Sequence, residues 1–248
     1  MNKRETVAFI FARGGSKGLP GKNLMQLGGV PLIGHSIKTG LACSKIDRVI
    51  VSTDDPEIAK VAKSFGAEIP FLRPPELATD EAPEWLSWRH ALSFIKNANP
   101  DNTISTFISL PCTSPLRSVG DIISCIERFE IGDVDSVIAV SEAQRNPFFN
   151  MVKMDKNNRV EIALKHPNHI VRRQDAPEMF DITTIAYVCT PDFIQNSEGL
   201  FDGKVGAVII PRARSIDIDT QLDFDIANYL FRRNEKLKRG HNEQESNA

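Results

Sequence analysis

The sequence lacks three features that would assign it to a whole class of proteins: excess charge of one sign, paired cysteines and a long apolar run. Its 248 residues carry a formal net charge of −2, so the overall charge favours neither nucleic acid nor a membrane as a partner. The 4 cysteines are scattered without a C-x-x-C pair, which disfavours a zinc site or a disulfide framework. A reducing, cytoplasmic location fits best. The apolar run that ends at Ala12 is too short for a signal peptide or a membrane span.

Short apolar runs alternate with helix-length segments along most of the chain. Runs rich in Val, Ile and Phe predict buried strands at 7–12, 49–53, 106–110 and 136–140. The intervening segments predict helices at 31–42, 56–65, 85–95 and 119–129, the first two opening with proline. This alternation predicts an α/β fold of three layers, in which helices cover both faces of a mainly parallel sheet.

The pattern changes at about residue 146. Segments 148–154 and 159–164 flank Asp-Lys-Asn-Asn, which is typical of a hairpin turn. Further apolar runs at 185–189 and 205–210 and an amphipathic segment at 221–232 complete the core. We therefore divide one α/β domain into a first part at 1–145, an inserted β-hairpin arm at 146–180, a second part at 181–236 and a frayed tail at 237–248.

A glycine-rich, basic segment follows the first predicted strand. It reads Ala-Arg-Gly-Gly-Ser-Lys-Gly-Leu-Pro-Gly-Lys-Asn over 12–23. Glycines let backbone N–H groups approach phosphate oxygens. The glycine spacing does not fit a P-loop, and the adjacent Gly14 and Gly15 fit a dinucleotide fold poorly. A solvated surface turn would explain the glycines but not the cations, so the segment predicts a phosphate site built with Arg13, Lys17 and Lys22.

Two carboxylates stand close together in Ser-Ile-Asp-Ile-Asp-Thr at 215–220. In an extended chain, Asp217 and Asp219 project to the same side while the isoleucines face the other. Two such carboxylates can hold Mg²⁺ between themselves and phosphate oxygens. Alternatively, Asp219 or Thr220 caps the next helix, but capping leaves Asp217 unexplained. The segment therefore predicts a magnesium site.

The two segments resemble motifs of the CMP-acylneuraminate synthetase (cytidylyltransferase) family. Its opening signature is A-R-x-x-S-K-G-x-P-x-K-N, and Ser-Ile-Asp-Ile-Asp-Thr is its metal-binding segment. Segments 72–80, 110–117 and 171–187 are similar to further family motifs, so the resemblance extends over about 6–228. It implies a Rossmann-like nucleotidyltransferase and a homodimer in which the hairpin arm of one subunit reaches toward the other's site.

The resemblance also implies roles for individual residues. The catalytic set would be Arg13, Lys17, Asp217 and Asp219, with Mg²⁺ held by the two aspartates. Residues binding CTP would be Ala12, Gly14, Gly15, Ser16, Lys22, Asn23 and Arg73, the last as the reader of cytosine rather than a surface ion-pair partner. Residues binding the sugar would be Thr113, Ser114, Arg117, Arg173, Gln174, Thr183 and Tyr187.

The implied reaction joins CMP from CTP to the anomeric hydroxyl of a nine-carbon α-keto acid sugar and releases pyrophosphate. Pro111 and Thr183 stand where the family usually has a sugar-contacting glutamine and asparagine. We therefore expect a legionaminic- or pseudaminic-type sugar rather than N-acetylneuraminate. The alternatives are a 3-deoxy-octulosonate-type or sugar-1-phosphate nucleotidyltransferase, a non-catalytic nucleotide-sensing module and, third, a nicotinamide oxidoreductase.

Overall fold

The computed structural model of the chain describes residues 4–101, 103–168 and 170–245. Its strands are, in chain order, β1 (Arg4–Phe11), β2 (Gln26–Leu27), β3 (Val30–Pro31), β4 (Arg48–Ser52), β5 (Thr103–Ser109), β6 (Ser136–Glu142), β7 (Val152–Met154), β8 (Val160–Ile162), β9 (Phe180–Cys189) and β10 (Val205–Ile209). Its α-helices are α1 (Leu32–Leu41), α2 (Pro56–Ser64), α3 (Glu84–Ala98), α4 (Val119–Glu130), α5 (Pro191–Asn196) and α6 (Gln221–Glu245).

The central sheet confirms the predicted α/β class. Its strand order is β10-β6-β9-β5-β1-β4. β9 is antiparallel to β5 and β6, and the other neighbouring pairs are parallel. β1 lies between β4 and β5. The chain therefore crosses from β1 to β4 on one side and then returns to β5 on the other side of β1. Because a crevice opens outside the carboxyl ends of the strands at such a reversal, the topology places a ligand site after β1 and β5.

Apolar side chains alternate along β1 and divide the core into two layers. Ala8 and Ile10 belong to a cluster with residues of α1, α2 and α4. Val7 and Phe9 belong to another cluster with residues of α3 and α5. Successive side chains of a strand point to opposite faces, so these helices cover the two faces of the sheet. Burial of a side chain the size of Phe9 stabilises the fold by about 2 kcal/mol.

The predicted helices are present, and their ends differ from the predicted ones by a few residues. Local caps define where α2 and α4 begin. α2 begins at Pro56, and the Asp55 carboxylate accepts hydrogen bonds from the first-turn N–H groups at 2.8 and 3.3 Å. α4 begins after Ser118, which forms a reciprocal capping box with Asp121. These starts could be predicted because the signals lie within a few residues of each helix.

α6 is longer than the sequence pattern indicates. It continues from Gln221 to Glu245, whereas the apolar periodicity predicts an end at about 232. The segment assigned to a frayed tail, 237–248, is thus helical through Glu245, and 246–248 lie outside the described residues. The added turns are rich in Lys, Glu, Arg and Gln, which have high helix propensity without an apolar face. No helix in the described ranges has the length and apolarity needed to cross a membrane.

The predicted hairpin is present as β7 and β8. Val152 pairs with Ile162 and Met154 with Val160. The Asp155 carboxylate accepts hydrogen bonds from two backbone N–H groups of the turn, at 2.8 and 2.9 Å, and Asn158 adopts a left-handed φ of 60°. Asn tolerates this conformation better than most residues, which explains how this tetrapeptide closes the turn.

Candidate active site

A cavity of about 510 Å³ opens at the carboxyl ends of β1 and β5, where the strand topology places a ligand site. The glycine-rich loop at 12–23 contributes Arg13, Ser16, Lys17, Lys22 and Asn23 to its lining. From other parts of the chain come the predicted residues Thr113, Tyr187, Asp217 and Asp219. The structure therefore brings the predicted phosphate loop and the predicted metal carboxylates into one cavity. Ala12, Gly14 and Gly15 belong to the same loop but do not line it.

Hydrogen bonds to the end of β4 hold the glycine-rich loop in place. The Ala12 N–H donates to the Ser52 carbonyl at 3.1 Å, and the Gly14 N–H donates to Asp54 Oδ1 at 3.0 Å. Asn23 donates from its side-chain amide to the Arg13 carbonyl at 3.0 Å, which closes the loop on itself. Asn23, predicted to reach the nucleoside, thus also has a structural role.

The carboxylate segment lies directly against this loop. The Ile218 N–H donates to the Thr113 carbonyl at 2.9 Å, and its side chain packs in a buried cluster with Leu19 of the loop. A Cβ on Gly18 would lie 2.6 Å from the Asp219 carbonyl oxygen. A buried isoleucine between two cavity-facing aspartates is the alternation that the sequence predicts for an extended segment.

The two aspartates have different surroundings. Asp217 Oδ1 is buried and has no hydrogen-bond partner within the described residues. The Asp219 side chain is 69% exposed and contacts Lys22 Nζ at 2.8 Å. Neither one caps α6, because Thr220 and Asp223 form a reciprocal pair in which each accepts from the other's backbone N–H, at 3.3 and 2.8 Å. The capping alternative therefore applies to Thr220 and to neither aspartate.

Each cation predicted to bind phosphate already contacts a carboxylate. Arg13 Nη1 lies 2.7 Å and Lys17 Nζ 2.6 Å from the two oxygens of Asp80. Lys22 Nζ contacts Asp219 and also donates to the Ile218 carbonyl at 2.7 Å. The hydrogen bond from Lys17 and the nearby Arg13 lower the pKa of Asp80, so its carboxylate is charged at neutral pH. Asp80 ends the 72–80 motif, but its residue type and position alone do not predict this contact with the two cations.

We expect Asp80→Asn to strengthen the binding of phosphate ligands. The carboxylate competes with phosphate oxygens for Arg13 and Lys17, and half-exposed ion pairs of this kind are weak, so affinity for pyrophosphate should rise about fivefold. Isothermal titration calorimetry with pyrophosphate and CTP measures the change. Glu81→Gln removes a neighbouring charge outside the cavity and is the matched control. Weaker binding by the Asp80 variant than by this control would contradict the prediction.

Arg73 lies behind the cavity wall. Its side chain is 6% exposed and donates to the Ser52 hydroxyl at 3.2 Å and the Ser52 carbonyl at 2.5 Å. Burial lowers the pKa of its guanidinium. The motif at 72–80 indicated a cytosine reader, but the structure does not place Arg73 in the cavity lining. Side-chain type and spacing do not reveal which way a buried arginine points.

Three predicted sugar residues are buried within the supporting framework. Arg117 donates to the carbonyls of Ser114 and Pro111, and burial lowers its pKa to about 10. Ser114 hydrogen-bonds the Thr184 hydroxyl at 2.7 Å. Thr183 donates to the Ala139 carbonyl at 3.1 Å. These contacts hold the loop after β5 and the middle of β9 in place.

Thr184 lines the cavity in place of Thr183. In the β6–β9 ladder Ile138 pairs with Tyr187, whereas the next residue, Ala139, pairs with Thr183. The intervening residues of β9 form a bulge, which changes the side of the strand that each side chain faces. A motif match cannot reveal such a bulge, because the bulge depends on the partner strand.

Cys112 and Tyr187 line the cavity as protonated groups. Burial raises the pKa of the Cys112 thiol to about 12. Burial, together with the nearby charges of Glu84 and Asp217, raises the pKa of Tyr187 to about 12. Neither side chain is an effective base or nucleophile at neutral pH, although both can donate hydrogen bonds.

Arg173 and Gln174 lie away from this cavity. Arg173 donates to the Ala143 carbonyl at 3.0 Å and lines a second cavity, of about 480 Å³, together with Glu142 and Arg212. Arg172 forms an ion pair with Asp175 at 2.9 Å. The basic pair at the base of the arm, Arg172 and Arg173, is thus separate from the glycine-rich loop.

The fold consists of a central sheet between two layers of helices. A basic, glycine-rich loop follows the first strand and faces two carboxylates across the cavity, which is the architecture of a nucleotidyltransferase. Residues 7–239 match the sequence model described as Cytidylyltransferase, and the chain belongs to this family. The family resemblance inferred from the motifs is confirmed, and the chain is a nucleotidyltransferase enzyme.

Individual relatives agree with this assignment. The chain is 32% identical to CMP-N,N'-diacetyllegionaminic acid synthase from Campylobacter jejuni, over 92% of this chain and 95% of the relative. It is 31% identical to post-translational flagellin modification protein B from Campylobacter coli, with the same coverage. The solved structure of CMP:2-keto-3-deoxy-manno-octonic acid synthetase complexed with CTP is similar in fold, with a TM-score of 0.66 at 18% identity, covering 93% of this chain and 99% of that one.

Proposed function

We propose that the enzyme transfers CMP from CTP to the anomeric hydroxyl of a nonulosonic acid and releases pyrophosphate. The observation that carries the proposal is the convergence of Arg13, Lys17 and Lys22 with Asp217 and Asp219 in one cavity. The likeness to a CMP-N,N'-diacetyllegionaminic acid synthase supports the class of sugar. In phosphoryl transfer, positioning and charge neutralisation supply most of the catalysis, and this cavity offers both.

We include Mg²⁺ in the proposal because the residues present fit it. The buried Asp217 Oδ1 has no protein partner in the described ranges, and Asp219 opens onto the same cavity. The described residues contain no cluster of three or more metal-binding side chains. Two carboxylates suit Mg²⁺, which takes its remaining ligands from water and phosphates. When bound, the ion would neutralise phosphate charge and lower the pKa of the attacking hydroxyl.

The side chains of the loop would exchange carboxylate partners for the triphosphate. Arg13 and Lys17 would leave Asp80 and contact phosphate oxygens, while the Ser16 hydroxyl would donate to the same group. Lys22, held by the Ile218 carbonyl, would keep the loop and the carboxylate segment together. As the bond to the α-phosphorus breaks, these cations would stabilise the charge that accumulates on the leaving pyrophosphate. Loss of one such donor typically costs about 3 kcal/mol of transition-state stabilisation.

The sugar would occupy the part of the cavity near the loop after β5 and the bulge in β9. Thr113, Thr184 and Tyr187 present hydroxyl groups there, whereas Pro111 presents an apolar ring. An apolar ring at this point suits the methyl of an acetamido or deoxy substituent better than a hydroxyl group. We therefore propose a diamino nonulosonic acid of the legionaminic or pseudaminic type as the acceptor.

A pyrophosphate-release assay with CTP, Mg²⁺ and a panel of acceptors tests the proposal. The panel contains N,N'-diacetyllegionaminic acid, pseudaminic acid, N-acetylneuraminic acid and 3-deoxy-octulosonic acid. We expect turnover with one of the first two at a kcat/KM at least about tenfold above that for N-acetylneuraminic acid. Equal turnover of N-acetylneuraminic acid would overturn the sugar assignment, and a preference for 3-deoxy-octulosonic acid would establish the alternative. Absence of release with every acceptor would reject the proposed reaction.

We also propose that the enzyme is a homodimer joined through the hairpin arm. Val152, Met154, Val160 and Ile162 share one face of β7 and β8 and are between 38% and 65% exposed. A two-stranded hairpin with an uncovered apolar face is unstable alone, which favours its burial against a second copy. An arm held in this way would bring Arg173 and Gln174 toward the partner's cavity.

Met154→Asp should dissociate the dimer, because burying a charge in an apolar interface is costly. Size-exclusion chromatography with light scattering should give a dimer for the wild type and a monomer for the variant. Lys153→Ser changes the opposite, polar face of the same strand and should remain dimeric. A monomeric wild type, or a dimeric Met154→Asp variant, would contradict the proposed interface.

The cysteines support a cytoplasmic location, which we propose for the enzyme. All are buried and free, at positions Cys43, Cys112, Cys125 and Cys189. A reducing compartment keeps such thiols unoxidised, and it also fits the absence of any C-x-x-C pair in the sequence.

A further inference from the structure

Glu84 is a carboxylate of the cavity that the proposed reaction does not yet use. It is the first residue of α3, and its side chain lines the same cavity as Arg13 and Asp217. Its Oε1 atom accepts a hydrogen bond from Trp88 Nε1 at 3.0 Å. A carboxylate can accept about four hydrogen bonds, so this contact leaves most of its acceptor capacity for a ligand.

An aromatic cluster keeps this carboxylate in a defined place. Trp88 is 3% exposed, and its ring lies 4.9 Å from that of Phe107 and 6.2 Å from that of Phe11, centroid to centroid. Phe11 also lines the cavity. A packed indole that donates to Glu84 fixes one carboxylate oxygen, while the neighbouring phenyl ring offers an apolar surface to a flat ligand.

The charges of the cavity are unevenly distributed. Arg13, Lys17 and Lys22 pair with Asp80 and Asp219, whereas Glu84 forms no salt bridge among the described residues. Burial raises the pKa of the Glu84 carboxyl, and the hydrogen bond from Trp88 and the charge of Arg73 act in the opposite direction. Arg73, the predicted reader of the base, is directed at Ser52 behind the wall. In the stretch 72–84, the charged side chains that line the cavity are Asp80, which pairs with the cations, and Glu84.

We infer that Glu84 is a specificity residue that accepts a hydrogen bond from the exocyclic amino group of cytosine, an inference that rests on the proposed function. Cytosine presents an amino donor at C4, whereas uracil presents a carbonyl oxygen at the same position. A carboxylate attracts the donor and repels the oxygen, so it favours CTP over UTP. Phe11 would contact the base, and the phosphate-binding cations would hold the triphosphate at the other end of the nucleotide.

The test compares CTP with UTP in the wild type and in Glu84→Gln. A glutamine amide can accept from the cytosine amino group or donate to the uracil oxygen, so the variant should discriminate less. We expect the ratio of kcat/KM for CTP to that for UTP to fall at least about tenfold. The KM for the sugar should stay within twofold of the wild type. Glu81→Gln, the matched change three residues earlier and outside the cavity, should keep the wild-type ratio.

Calorimetric titration with CTP and UTP separates this inference from the proposed reaction, because nucleotide binding needs no sugar. Tighter binding of CTP than UTP by the wild type, with a reduced difference in Glu84→Gln, supports the assignment even if no acceptor is turned over. An unchanged ratio of the two nucleotides in a folded variant overturns it. A raised sugar KM with an unchanged nucleotide ratio also overturns it and would assign Glu84 to the sugar.

Discussion

Asp217→Asn should reduce cytidylyl transfer at least about a hundredfold while the protein remains folded. Asparagine has nearly the same size as aspartate but carries no charge, so it removes the electrostatic interaction with little change in packing. Asp217 Oδ1 is buried without a hydrogen-bond partner within the described residues, so asparagine breaks no hydrogen bond at this atom, although the charge of Asp217 also acts on the buried Arg117 guanidinium. The desolvation cost of the charged oxygen and its attraction to Arg117 oppose each other, so the neutral replacement should change the melting temperature little.

Two measurements check this prediction. Pyrophosphate release as a function of Mg²⁺ concentration should show lost turnover and a raised Mg²⁺ requirement in Asp217→Asn. Thermal unfolding with CTP and Mg²⁺ should show a smaller stabilisation by the ligands than in the wild type. Asp225→Asn is the control, since Asp225 accepts from Gln221 on the surface of α6, at 2.8 Å, outside the cavity. Wild-type turnover with an unchanged Mg²⁺ requirement in Asp217→Asn would remove this residue from the mechanism.

Local signals explain why so much of the fold could be predicted. β1, β4, β5 and β6 read as apolar runs because both faces of each strand are buried, and proline and serine signals set the starts of α2 and α4. The hairpin of β7 and β8 could be predicted from its turn sequence. The central position of antiparallel β9 could not be predicted in this way, because strand order depends on contacts between distant segments.

The candidate site was predicted best where side chains alternate along extended chain. Asp217 and Asp219 face the cavity around a buried Ile218, as the alternation indicates. Arg73 and Arg117 stand at motif positions, and in the structure both donate to backbone carbonyls, a contact that the motifs do not specify. The orientation of such groups is set by the carbonyls that they find after folding, which the linear sequence does not specify.

Sequence patterns do not reveal that Asp80 and Glu84 line the cavity, for a related reason. Neither carboxylate can be singled out from the sequence alone. Their surroundings appear only in the fold, where Asp80 contacts two cations and Glu84 accepts a hydrogen bond from a buried indole. Both belong to the stretch that begins at the conspicuous arginine of the 72–80 motif. Asp80 and Glu84 line the cavity, whereas Arg73 does not.

The contact between Gly18 and the carboxylate segment leads to the second prediction of a large effect. A Cβ at Gly18 would lie 2.6 Å from the Asp219 carbonyl oxygen, a distance that real side chains do not tolerate. The obstacle is a backbone atom, so the clash cannot be relieved by a change of rotamer. Gly18→Ala must therefore move the glycine-rich loop away from the segment that carries Asp217 and Asp219.

We expect Gly18→Ala to lower kcat/KM about a hundredfold, because a displacement of about 1 Å between reacting groups has an effect of this size. Gly199→Ala is the matched control: Gly199 lies outside the cavity and a Cβ there meets nothing within 4 Å, so this variant should retain activity within a few-fold of the wild type. Pyrophosphate release and circular dichroism should be measured on both. If the two variants are equally active, the loop and the carboxylates do not need their close contact. If only Gly18→Ala fails while remaining folded, the separation between these two segments is what catalysis depends on.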